Sequence, residues 1–227
     1  MLLALDTATD YMSLALHDGT SLIAEQSLRT GRRQNTLLAG AIEQMMQVCK
    51  IDMADLTALA VATGPGSYTG LRVGVALAKG MAGIGNLPLV GMSTLDILAA
   101  GQPFQNTRYE LLAILQAGRT RIIAGRYRVK KGRWQSDETP VITDWDTLLK
   151  DLEGSFYVTG EIDSTGHEVL EAAQQRETLS LTVMPGAYRA RRAGFLAQEA
   201  WRQLTDADDD FSADKIMPVY LKSPGGV

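Results

Sequence analysis

The sequence predicts an α/β protein of two similar domains, each a mixed β-sheet flanked by helices. Three observations carry this. The length of 227 residues suits two compact halves of about 100 each. An order of three strands, helix, strand, helix, strand occurs twice. An apolar strand runs through a glycine-rich turn into a helix in the passage TGPGSYTGLRVGVALAKGMAG, Thr63 to Gly83.

Each element has a local reason. Leu2 to Ala8, Met12 to His17 and Leu22 to Leu28 are short runs of apolar character, with Asp18-Gly19 as the turn between the second and third. Helical periodicity spans Asn35 to Lys50. The strand Ala58 to Ala62 leads into the glycine passage, whose helix extends to Ile84. Leu89 to Met92 is a strand and a short helix starts at Thr94. The second half reads as strands Leu111 to Gln116, Ile122 to Val129 and Trp134 to Ser136, a helix Asp144 to Leu152 and a strand Phe156 to Thr159. A helix Gly166 to Arg176, a strand Leu179 to Val183 and a helix Ala190 to Leu204 follow. A repeated β-β-β-α-β-α-β unit suggests the ribonuclease H-like duplication of the actin and sugar-kinase superfamily. Gly101-Gln-Pro-Phe-Gln-Asn marks the boundary, giving domains 1–101 and 102–212, with the tail 213–227 packing back on the first.

Composition narrows the setting. With 45% hydrophobic and 21% charged residues the chain is an ordinary globular one. No run approaches the roughly 18 apolar residues of a membrane helix, and MLLALDTATD has no basic residues ahead of its apolar ones. A cytoplasmic protein without membrane association is expected. The lone Cys49 excludes an internal disulfide and reads as a small hydrophobe.

The glycine passage invites a phosphate-cradle reading, because a glycine loop entering a helix presents backbone N–H groups to an anion. Its spacing fails. A Walker loop requires glycine where Thr69 stands and lysine where Leu71 follows Gly70. In a dinucleotide loop, the Gly64-Pro65-Gly66 pair would need glycine one position before Gly70, and Pro65 removes a donor. The nucleophile-elbow pattern fails because Pro65 lies two residues before Ser67. What remains is a tight Pro65-Gly66 turn and a helix whose small residues Gly70, Gly74, Ala78 and Ala82 recur every fourth position. Interior glycines cost about 0.8–1 kcal/mol each, so a compensating contact is expected, either with a neighbouring helix or with the underlying sheet. In the Asn35–Lys50 helix, the apolar residues, among them Leu37, Leu38, Ala41, Met45 and Met46, cover an unusually wide arc. Such a helix is sandwiched inside the domain or covered in part by another chain.

Other chemistry is thin. His17, His167 and Cys49 have no metal-site spacing. Asp6 sits where an actin-like protein begins its first phosphate loop, but Asp6-Thr7-Ala8-Thr9 lacks the loop's glycine, which favours a structural hydrogen bond. Asp206 and Asp208 to Asp210 read as a solvated loop. Against a net charge of −4, the stretch from Gly101 to Trp134 carries eight basic residues and one acid, Glu110. Arg126, Arg128 and Lys130 share one strand face there; they form either a solvated hairpin or a contact for RNA phosphates or an acidic partner.

The opening LLALDTATDYMSLAL, the block ALAVATGPGSYTGLRVGVALAKGMA, the stretch PLVGMSTLDILA and the tail IMPVYLKSP resemble the TsaB family of bacterial tRNA threonylcarbamoyladenosine biosynthesis proteins. The resemblance is strong over the first hundred residues, weak through the second half, and recovers at the end. It implies the actin-like fold and a role in modifying the adenosine beside the anticodon of tRNAs that read codons beginning with A. It further implies a subunit without catalysis of its own and without a cofactor or metal. Such a subunit pairs with the catalytic paralogue TsaD, works with the ATPase TsaE, homodimerises when alone and meets tRNA indirectly. The family's motif loop falls on Asp6, Gly64, Pro65, Gly66, Ser67, Thr69 and Arg72. Its associations use helices corresponding to Asn35–Lys50 and Gly70–Ile84, so the expected interface is Leu37, Leu38, Ala41, Met45, Gly70, Gly74, Leu77, Ala78 and Met81. Two departures, Gln34-Asn35 after the basic stretch Arg29 to Arg33, and Gln116, remove potential ligands. The rival readings are a small-molecule kinase or ATPase built on Asp6 and the Gly64–Gly66 turn, and a direct tRNA binder.

Overall fold

The computed structural model of the chain describes residues 1–206 and 209–221; Asp208 and tail residues 222–227 lie outside them. The chain divides into two compact units, Met1–Ile97 with Arg191–Tyr220, and a second built on Leu98–Ala190.

In the first unit, β1 (Leu2–Asp6), β2 (Tyr11–His17) and β3 (Leu22–Arg29) form an antiparallel meander. Helix α1 (Gln34–Cys49) then leads to β4 (Ala58–Gly64), α2 (Tyr68–Gly85) and β5 (Leu89–Ser93). The sheet order is β3-β2-β1-β4-β5, with β4 parallel to β1 and β5 parallel to β4. Both faces of the sheet are covered, which is why β1 from Leu2 to Leu5 and β4 from Ala58 to Ala62 run continuously apolar instead of alternating with polar residues. Leu3, Leu5, Leu59 and Val61 point to the side of α1 and α2, where Leu38, Ile42, Met45, Val75 and Ala78 meet them. Leu2, Ala4, Ala58, Ala60 and Ala62 point to the other side.

That second face is covered by α7 (Ala193–Asp206), through Ala193, Leu196, Ala197 and Ala200. The sequence reading places α7 in the second domain, as part of 102–212; the structure corrects this, since α7 contacts β1, β2, β3, β4 and β5. The alanines of β4 and α7 face each other, so helix and sheet approach closely. Ala213 and Ile216 pack against the core on the α1 and α2 side, and the Val219 N–H donates to the Thr63 carbonyl at 2.7 Å.

The second unit repeats the plan. After α3 (Thr94–Ala100), β6 (Glu110–Gln116) pairs antiparallel with β7 (Ile122–Lys130), which carries the short β8 (Arg133–Gln135) and β9 (Val141–Thr143). Helix α4 (Trp145–Lys150), β10 (Gly154–Gly160), α5 (Ser164–Ala173), β11 (Leu179–Val183) and the one-turn α6 (Gly186–Arg189) follow. The order β11-β10-β6-β7-β8 matches the first sheet read from its other end, with β10 parallel to both β6 and β11. This twice-built mixed sheet is the actin-like duplication. Sequence periodicity missed β9, three residues long and exposed or half-buried, because so short a strand carries no alternation to read.

Candidate functional site

At the carboxyl end of β1 the chain closes on itself. Asp6 is buried, and its Oδ2 accepts from Arg191 Nε at 2.9 Å. Its Oδ1 accepts from the Ala8 N–H at 2.9 Å, and Arg191 Nη2 donates to Thr9 Oγ1 at 2.6 Å. A buried guanidinium thus occupies the carboxylate that would open a phosphate loop. The Asp6 side chain does make a structural hydrogen bond, as its loop sequence suggests. Arg191 itself was invisible to sequence reasoning, because no local pattern links residues so far apart.

The glycines of the passage serve this closure. A Cβ on Gly66 would collide with the Ala8 carbonyl, one on Gly70 with the Thr7 carbonyl, and one on Gly74 with Thr7 Oγ1. Gly64, at φ +116°, would put a Cβ 2.5 Å from the Val219 carbonyl oxygen. Thr7 Oγ1 donates to the Gly70 carbonyl at 2.7 Å, and the Ser67 N–H donates to the Ala8 carbonyl at 2.6 Å. Ser67 also caps α2, its hydroxyl accepting from the Gly70 N–H at 3.3 Å. The β1–β2 loop therefore lies directly on α2, and the glycines exist to let it. Pro65 is buried at this bend, while Thr69 and Arg72 are exposed. Arg72 lies 4.0 Å from the Tyr68 ring centroid and donates from Nε to the Tyr220 hydroxyl at 3.3 Å.

This sorts the expected interface residues by face. Gly70, Gly74 and Ala78 are buried against their own chain, so they are not open to a neighbouring one. Leu38 and Met45 are core residues and Ala41 packs at the core's edge; for these the expectation of a surface contact is corrected. The apolar arc of α1 is wider than the sheet needs, and its remainder faces outward. Leu37 and Val48 are exposed, Val48 by 76%. Leu77 and Met81 of α2 line a groove of about 690 Å³ with Ala39, Ile42 and Met46 of α1 and with Met53 beyond it. Glu43, Lys50 and Asp52 provide charge along it. Met46, Met53 and Ala39 were absent from the expected interface, although Met46 and Ala39 belonged to the apolar arc that signalled it.

The basic face of β7 does not present free cations. Arg126 and Arg128 both pair with Glu110, the latter at 2.9 Å, and Lys130 pairs with Asp137. Burial alone would raise the Glu110 pKa, but hydrogen bonds from the two guanidiniums outweigh it and hold the carboxyl below its ordinary value. Gln116 donates its backbone N–H to Glu161 at 3.0 Å and its amide to the Gly118 carbonyl at 3.1 Å. His17 accepts through Nδ1 from the Gly19 N–H at 3.0 Å, and His167 Nε2 lies 2.9 Å from Arg189 Nη1. Among the described residues no three His, Cys, Asp or Glu side chains are grouped to hold a metal ion, and no helix is long and apolar enough to cross a membrane.

Known proteins resemble this arrangement. The family model described as TsaD, tRNA N6-adenosine threonylcarbamoyltransferase, matches residues 29–153. The chain is 30% identical over 174 residues to the tRNA threonylcarbamoyladenosine biosynthesis protein TsaB of Bacillus subtilis (strain 168), covering 75% of each. It is 29% identical over 163 residues to that of Escherichia coli (strain K12), covering 70% of each. In structure it is similar to YeaZ from Pseudomonas aeruginosa, with a TM-score of 0.76 and 22% identity over 97% of this chain and 99% of that one.

Proposed function

The chain belongs to the TsaB family of tRNA threonylcarbamoyladenosine biosynthesis proteins, and we propose that it acts in that pathway as a non-catalytic subunit that docks the threonylcarbamoyltransferase TsaD. The observation that carries the reading is the outward groove of α1 and α2, with Met46, Met53, Leu77 and Met81 along it. Methionines adapt their shape to a partner surface, and an apolar groove rimmed by charge is what a protein contact requires. A homologous chain would present the same two helices, so the geometry suits a paired-helix contact. In the free chain the same groove would hold a second copy.

Asp6 supports the non-catalytic reading. A carboxylate whose charge is already matched by a buried guanidinium is not available to hold a magnesium ion, so this chain's part is to stabilise its partner's active conformation by binding it preferentially. The ATPase TsaE joins through the assembled pair, in the cytoplasm, and tRNA is modified on the partner.

Ala39→Glu and Met81→Glu test the docking. Each places an unpaired carboxylate in the groove, at an exposed position for Ala39 and at the edge of the core for Met81, and each is expected to weaken association with the transferase by at least about tenfold in a calorimetric titration. Unchanged affinity in both variants, with unchanged thermal unfolding, overturns the reading.

A further inference from the structure

The basic residues β7 presents at Arg126, Arg128 and Lys130 are matched by carboxylates; Arg29 and Arg33, ahead of α1, are not. The turn Arg29-Thr-Gly-Arg-Arg33 holds three arginines in five residues and no acid. Arg29 and Arg33 are exposed. Arg29 rests its guanidinium 5.9 Å from the Tyr11 ring centroid, a contact that uses none of its N–H donors. Arg33 donates only Nε, to the Thr30 carbonyl at 3.5 Å. No carboxylate among the described residues pairs with either. Asp10, across the turn, serves it through its backbone carbonyl, which accepts from the Thr30 and Gly31 N–H groups at 2.9 and 3.2 Å.

The base beneath these arginines is fixed. Thr30 and Gln34 are buried, and Gln34 Nε2 donates to the Thr9 carbonyl at 2.5 Å. Helix α1 begins here with no acid in its first turn and no side-chain cap, so the helix dipole adds to the positive field. Neither Arg29 nor Arg33 lines the groove between α1 and α2. Exposed guanidiniums on a firm turn, outside that groove, match a run of phosphates along a polymer backbone rather than a single nucleotide. On a chain of net charge −4, phosphate contact concentrates where cations are unmatched.

We propose that this arginine turn is the chain's contact with the phosphate backbone of RNA, which, on the pathway reading above, is the tRNA being modified. The Arg126–Lys130 face is excluded from that role by its own carboxylates.

The test measures binding of unmodified tRNA against salt concentration, using the full chain alone and mixed with its transferase. Arg29→Gln with Arg33→Gln is expected to lower low-salt affinity about tenfold and to reduce the slope of log affinity against log salt by roughly two. Lysine at both positions restores the slope, because it restores charge. Arg126→Gln with Arg128→Gln leaves it unchanged. The proposal falls if the slope is unmoved in the glutamine pair, if wild type binds no tRNA in either form, or if it binds phosphatidylserine vesicles and not tRNA. Docking is read separately by titrating the glutamine pair with the transferase. Retained docking with lost RNA binding supports the proposal, whereas a wild-type chain that binds tRNA through these arginines but never the transferase overturns only the subunit reading.

Discussion

Asp6 and Arg191 stand 185 positions apart in the chain and meet in the interior of the first unit, carboxylate to guanidinium at 2.9 Å. Both are almost wholly buried. The pair ties the end of β1 to the segment that enters α7, and it closes the place where an actin-like fold would hold phosphate.

Removing one partner strands the other charge in the interior. Arg191→Met is expected to cost about 3–5 kcal/mol of unfolding free energy, measured by urea denaturation. Asp6→Asn combined with Arg191→Met should lose less than the sum of the two single changes, because the double variant buries no unmatched charge.

Alanine at the glycines of α1 and α2 should separate by face. Gly70→Ala and Gly74→Ala are expected to destabilise by about 1–3 kcal/mol through overlap with Thr7. Gly40→Ala and Gly80→Ala meet nothing within 4 Å and should stabilise by about 0.5–1 kcal/mol, as helix propensity alone dictates. Thermal unfolding of the four variants distinguishes the two groups.

His17 carries a pH dependence. Burial lowers its pKa from the ordinary 6.5, only partly offset by the charge of Asp18. The folded chain therefore favours neutral His17, with Nδ1 accepting from Gly19. Its contribution is complete above pH 6.5 and declines as pH falls from there towards the depressed folded value, because the unfolded chain takes up the proton first. His17→Asn keeps an acceptor and removes the titration. Its stability profile should be flatter just below pH 6.5 when the two proteins are unfolded across that range.

Glu110 gives a second acid-side effect. Its folded pKa lies below the ordinary 4.5, so its stabilisation is present above that value and is lost as pH falls through the depressed one. Because Arg126 and Arg128 are partly exposed, Glu110→Gln should cost only about 0.5–1 kcal/mol at neutral pH. Its acid unfolding limb should be correspondingly shallower.

Much of the fold was legible because it is local. The apolar runs of β1 and β4, the Asp18-Gly19 turn and the periodicity of α1 and α2 each declare an element within a few residues, and their repeated order declares the duplication. The candidate site was legible in part. The wide apolar arc of α1 pointed to an outward apolar surface, and Leu77 and Met81 do line the groove. The row Gly70, Gly74, Ala78 lies on one face, and what approaches Gly70 and Gly74 is Thr7 of the same chain.

By itself, then, the sequence determined which residues share a face and which turns the backbone can make, since both depend on neighbours a few positions away. Only the tertiary structure decided what covers each face: α7 on the first sheet, the β1–β2 loop on α2, Arg191 on Asp6, Glu110 between Arg126 and Arg128. Those choices depend on burial and charge pairing between segments distant along the chain, and periodicity contains no term for them.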